Sequence, residues 1–154
     1  MRRRMLVVLG FGLALAACQQ PEKADVAPVS VDNAWVRLPA VPGRPGAAYF
    51  TLRSNRGSHT LEGVASPQVE RIELHDSSMA EGMMRMAPLA PPKLEQGAEL
   101  TFAPDGRHAM LFGIDPAVKA GGTIRLEFRL VPGNPVTLDV PVVAVSDAPP
   151  AHAH

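Results

Sequence analysis

The sequence predicts a single all-β domain, a sandwich or barrel of short strands, and three observations lead there. Ile124, Leu126, Phe128 and Leu130 alternate with Arg125, Glu127 and Arg129, a period of two that turns one face to a core and the other to water. Val136, Leu138, Val140 and Val142 repeat the alternation beyond Pro132-Gly133-Asn134-Pro135, so the two runs read as a hairpin. No stretch of ordinary length beyond the leader carries a convincing helical period. Frequent proline and glycine separate the apolar runs, as expected for many strands joined by turns.

The earlier strands follow in order as Ala34 to Leu38, Ala47 to Arg53, His59 to Ala65, Val69 to His75, Met83 to Ala87, Glu99 to Ala103 and His108 to Ile114. A short turn of helix is expected near Asp115 to Lys119. Pro42, Gly43, Arg44, Pro45 and Gly46 form a loop before the second strand, and Pro88, Pro91 and Pro92 break the chain after the fifth. These prolines lack an amide donor and so discourage further strand pairing. The folded domain is expected to cover residues 31–145, enough for one small core.

The two ends read differently. Arg2, Arg3 and Arg4 precede an apolar run from Met5 to Leu15 that is too short to stay in a bilayer as a spanning helix. Leu15-Ala16-Ala17-Cys18 resembles a bacterial lipoprotein processing box. That resemblance implies that residues 1–17 are a lipoprotein signal peptide and that Cys18 becomes the lipidated first residue. An ordinary secretory signal is the rival reading, and both export the chain. The expected place is the periplasmic side of a bacterial membrane, with Gln19 favouring the outer one by analogy with Gram-negative sorting. Residues 18–30, with Pro21 and Pro28, read as a flexible tether, and residues 146–154, with Asp147, Pro149, Pro150 and Ala-His-Ala-His, as a disordered tail.

Cys18 is the only cysteine, so the mature domain has neither a disulfide nor a thiolate for a metal. This excludes a blue-copper electron carrier, which needs Cys beside its histidines, and a dithiol metal carrier. Without the leader arginines, twelve basic residues face fifteen acidic ones, a balance that gives no case for nucleic-acid binding.

The chemistry-bearing residues are His75, Met86 after ten intervening residues, His108 after twenty-one more, and Met110 after one. Imidazole and thioether together suit soft, monovalent Cu(I); magnesium and calcium want oxygen, and zinc prefers thiolate, imidazole or carboxylate. His108 and Met110 leave the same face of a strand. All five methionines of the mature chain, at 79, 83, 84, 86 and 110, fall in one region. Taken singly, each would be a core gap-filler, His75 a solvated residue and His108 a core residue. Met84 is the main rival to Met86 as a ligand, whereas Met83 and Met79 are expected to pack or to cover the site. His59 sits in a polar turn and reads as solvated. His152 and His154 are candidates for weak Cu(II) binding, with an inert tail as the alternative.

The same spacing resembles the motif of the PCuAC-type periplasmic copper chaperones. Around it, Ala34-Trp35-Val36-Arg37, Ala47-Ala48-Tyr49-Phe50, Glu73-Leu74-His75 and Gly82-Met83-Met84-Arg85-Met86 resemble the family too, over roughly Val31 to Val145. The resemblance implies a cupredoxin-like Greek-key β-barrel that holds one Cu(I) near its surface through His75, Met86, His108 and Met110. It implies delivery toward the CuA centre of cytochrome c oxidase, with a Sco-type protein as a further partner. The lipid anchor departs from simple soluble export. No Ser-His-Asp set, nucleophilic cysteine or paired carboxylates suggest an enzyme; Asp76 and Glu73 read as solvated groups or supports for His75. Two other readings stand beside the chaperone: a copper-buffering or tolerance lipoprotein without a dedicated acceptor, and a structural lipoprotein whose His and Met merely pack.

Overall fold

Alternating apolar residues and turn punctuation give ten strands: β1 Val29–Arg37, β2 Gly46–Ser54, β3 His59–Ala65, β4 Val69–Ala80, β5 Met83–Pro88, β6 Lys93–Leu94, β7 Glu99–Phe102, β8 His108–Ile114, β9 Thr123–Val131 and β10 Val136–Val143. The computed structural model describes residues 27–80 and 82–150; the expected signal peptide, Cys18, most of the tether, His152 and His154 lie outside the described residues. No helix is present among the described residues. The order β5-β4-β8-β2-β1 continues through β10-β9-β3-β6, and β7 adds to the free edge of β2. The two halves join where β1 meets β10 in parallel, Val36 opposite Val142 and Arg37 opposite Val143. This is a cupredoxin-like all-β sandwich.

The interior is aliphatic around a phenylalanine cluster. Phe50 stacks on Phe102 at 4.3 Å and meets Phe128 edge-on at 4.8 Å. Each such pair adds about 0.5–1.5 kcal/mol beyond the area it buries. β1 enters this core with a change of step. Val29 and Val31 face inward before the register shift at Asp32/Trp35, and Ala34 and Val36 do so after it. Asn33 takes φ 53° within the shift, a left-handed conformation that asparagine tolerates better than most residues. The inverted parity moves Trp35 to the outer face, opposite Tyr49, with ring centroids 4.5 Å apart.

β7 and β8 lie end to end along one edge of β2. Phe102 is opposite Phe50 and Ala109 opposite Ala48, so residues 103–107 leave the ladder as a closed loop. The Ala103 amide donates to the Arg107 carbonyl at 2.8 Å, and the Gly106 amide to the Ala103 carbonyl at 3.2 Å. This loop reaches the functional face.

Four expectations change. β1 begins at Val29, inside the expected tether, because the Val29 side chain is buried in the core. β6 was not evident from its two residues; it forms because Leu94 fills the interior opposite His59. Asp115 to Lys119 makes turns, not helix: the Asp115 carboxylate accepts the Ala117 amide at 2.8 Å, a local bond that competes with helical pairing. His59 is buried rather than solvated, with Nδ1 2.6 Å from the Pro132 carbonyl oxygen and Nε2 2.8 Å from that of Arg56.

Candidate metal centre

Strand pairing brings the separated segments of the motif to one face. His75 of β4 lies opposite His108 of β8, and Glu73 opposite Met110. On the other side of β4, Ser77 lies opposite Met86 and Met79 opposite Met84. On the other side of β8, Ala47 of β2 lies opposite Met110. Directly opposed residues share a face, so His75, Met86, His108 and Met110 all stand outside the core sheet. Their alternates Ile72, Leu74, Ala109 and Leu111 pack inward.

The two imidazoles are held in complementary ways. Their centroids are 6.1 Å apart with planes inclined by 28°. His108 is buried, and its Nδ1 lies 2.8 Å from the Gly106 carbonyl oxygen. A ring donating N–H there keeps its lone pair on Nε2. The same carbonyl accepts the Ser77 amide at 3.2 Å, tying the 103–107 loop to β4. His75 places Nε2 3.1 Å from a Glu73 carboxylate oxygen, while its Nδ1 is buried without a hydrogen-bond partner. Glu73 also pairs with Arg71 at 3.2 Å, and Arg71 lies over the Phe112 ring at 4.4 Å. A buried nitrogen carrying an unused lone pair is costly unless something binds it.

The thioethers border an open cavity of about 350 Å³ lined by Pro45, Tyr49, Ser77, Asp105, His108, Met110, Met84 and Met86, among others. His75 is not part of that lining; it stands beside His108, one strand away. Met86 is 54% exposed and Met110 half-buried. Burial pushes the Tyr49 phenol above its ordinary range; Arg37 opposes that shift and Asp105 adds to it. The Arg37 guanidinium lies 4.9 Å from the Trp35 ring centroid and 5.9 Å from that of Tyr49, closing the far side of the face.

These donors fit a soft ion. Two imidazoles each have one nitrogen committed to an oxygen acceptor and the other left as a lone pair, the arrangement that fixes a metal-binding tautomer. Among the described residues no group of three or more His, Cys, Asp or Glu side chains gathers into a hard-ligand site. Met83 and Met79 do not pack: they are 58% and 65% exposed. β5 has no layer above it, and all six of its residues are exposed. Sequence reading missed Tyr49 and the Gly106 carbonyl as parts of this face. Tyr49 was visible as the lone tyrosine, whereas a backbone oxygen leaves no signal in residue identity.

Residues 29–142 match the family model "Putative lipoprotein LpqE-like". The curated protein "Putative lipoprotein Lxx21020" of Leifsonia xyli subsp. xyli is 29% identical over 145 residues, spanning 94% of this chain and 87% of that one. Among solved structures, the copper-bound PCuAC domain from PmoF2 superposes with a TM-score of 0.64 at 19% identity, over 76% of this chain and 93% of the other. The solution structure of CuI-DR1885 from Deinococcus radiodurans gives a TM-score of 0.59 at 28% identity, over 80% and 84%.

Proposed function

The chain belongs to the LpqE-like lipoprotein family, and from that premise we propose that it is an envelope carrier of Cu(I) rather than an enzyme. One Cu(I) is the cargo, taken by His75 through Nδ1, His108 through Nε2, and Met86 and Met110 through sulfur. The observation that carries this reading is the buried, unpartnered Nδ1 of His75 beside a second imidazole whose Nδ1 is already committed. The likeness to CuI-DR1885 supports the metal assignment.

Loading and release are ligand exchange. Four neutral donors leave the complex cationic, and an open cavity lets an incoming thiolate or imidazole reach the ion. Met86, on the exposed hairpin, is the donor displaced first; the histidines, held by Glu73 and Gly106, let go last. Cys18 anchors the chain by lipid to the periplasmic side of a bacterial membrane. The acceptor is the CuA centre of cytochrome c oxidase, with a Sco-type protein in the same route; a copper buffer without a dedicated acceptor is the second reading. X-ray absorption on the Cu(I) form should give two nitrogen and two sulfur donors, and a shell of only nitrogen and oxygen would overturn the site. Transfer to a purified CuA domain separates carrier from buffer. Cys18→Ser should leave folding and copper binding intact while removing incorporated lipid; an unlabelled wild-type protein contradicts the anchor.

A further inference from the structure

We propose that Met79 and Met84 form a second, outer docking position for a soft monovalent ion, from which the metal passes through Met86 to the histidine-bearing site. The proposal rests on the copper reading only for its direction of travel. Met79 and Met84 are directly opposed across the β4–β5 hairpin, and opposed side chains share a face with Cβ atoms about 4.5–5.5 Å apart. Met86 is two residues along β5 from Met84, so it stands on that face as well. An unbranched thioether with three rotatable bonds can turn its sulfur toward a shared ion from such a start.

Burial gives the second observation. Met79, Met84 and Met86 are all more than half exposed. Apolar side chains placed in water do no packing, so the ordinary reason for methionine is missing here. Met84 also lines the cavity that contains Met86, His108 and Met110. It therefore belongs both to the outer pair and to the inner cavity, which makes it the link between them. Met83 is the internal control: it is equally exposed, but it is opposite Ala80 and on the other face of the hairpin.

The chemistry is donor exchange without electron transfer. An ion held by the Met79 and Met84 sulfurs gains the Met86 sulfur, loses Met79, and then gains an imidazole as Met84 departs. Two or three thioethers without imidazole hold the ion less tightly than the inner set, so the outer position fills second at equilibrium.

The test is a titration of the mature protein, labelled at methionine ε-methyl carbons, with Ag(I) as a soft ion of fixed oxidation state. Expected is a first equivalent that moves the Met86 and Met110 methyls, and a second, weaker one that moves Met79 and Met84 but not Met83. Met79→Leu/Met84→Leu should keep the melting temperature and the first equivalent, lose the second, and load Cu(I) more slowly from a weak chelator. His75→Ala/His108→Ala should lose the first equivalent yet keep the Met79 and Met84 shifts, so failure of the inner site is read separately. A wild-type protein without the second equivalent, its survival in the leucine variant, or equal movement of Met83 would overturn the proposal.

Discussion

The corner around His59 and the face around His75 and His108 use imidazole in opposite ways, although among the described residues His59 and His108 are buried alike. His59 has a carbonyl oxygen at each ring nitrogen, from Arg56 and from Pro132, so the ring joins the turn before β3 to the turn after β9. Nothing is left over for a ligand. His75 and His108 each commit one nitrogen, to Glu73 and to Gly106, and His75 buries the other with no partner. Burial alone therefore does not separate a structural histidine from a metal-binding one. The number of ring nitrogens that already face a protein oxygen does.

Substitution should break this comparison in different observables. The largest effect is expected for His108→Ala or Met110→Leu, with Cu(I) affinity falling by more than the roughly 10–100-fold that loss of a supporting residue costs. Methionine and leucine are close in volume, so Met110→Leu should change stability by less than about 1.5 kcal/mol. Competition with a Cu(I) chelator, paired with thermal melts, reads both. His59→Ala should do the reverse. It removes the ring that fills a buried corner and donates to a carbonyl there, with an expected loss of about 1–3 kcal/mol in urea unfolding and an unchanged Cu(I) affinity.

Smaller effects sharpen the metal face. Glu73→Gln keeps the size of the side chain but removes the charge that holds His75 Nε2–H, so Cu(I) affinity should fall by about 10-fold. The same chelator titration measures it, and no change would detach Glu73 from the site. The smallest effect concerns the cavity wall. Tyr49, the only tyrosine, is kept above its ordinary phenol range by burial. An unfolded phenol ionises near 10.0 and the folded one later, so this contribution is intact below 10 and is lost as pH rises through the folded value. Absorbance titration of tyrosinate should show the delay, and Asp105→Asn should shorten it.

Much of the fold was legible because it was written locally. The β3 and β8 bounds follow from alternation and breakers alone, and the β9–β10 hairpin from two matched runs around a proline-glycine turn. The ligand set could be nominated because soft donors are rare enough for their spacing to carry weight. What escaped was written across the chain. His59 looked solvated because its polar neighbours Arg56, Gly57 and Ser58 are local, whereas the Pro132 carbonyl that covers it comes from 73 residues away. The parity switch at Asn33 was equally invisible. A left-handed residue in mid-strand sends Trp35 outward against an alternation that a sequence reader continues by default.

The loop at 103–107 has a consequence for the spacing itself. Between Met86 and His108 the chain crosses to pair with β3 at Lys93–Leu94, returns along β2 at Glu99–Phe102, and then detours before β8 begins. The twenty-one residues between those ligands are thus the length of an itinerary, measured out by two strand pairings and one detour. Side chains along that route can drift freely where they meet only water, but an insertion or deletion within the detour would displace the Gly106 carbonyl that holds His108 Nδ1 and ties the loop to β4. Where the route passes through the core, at Leu94, Leu100 and Phe102, residue identity counts as well as length.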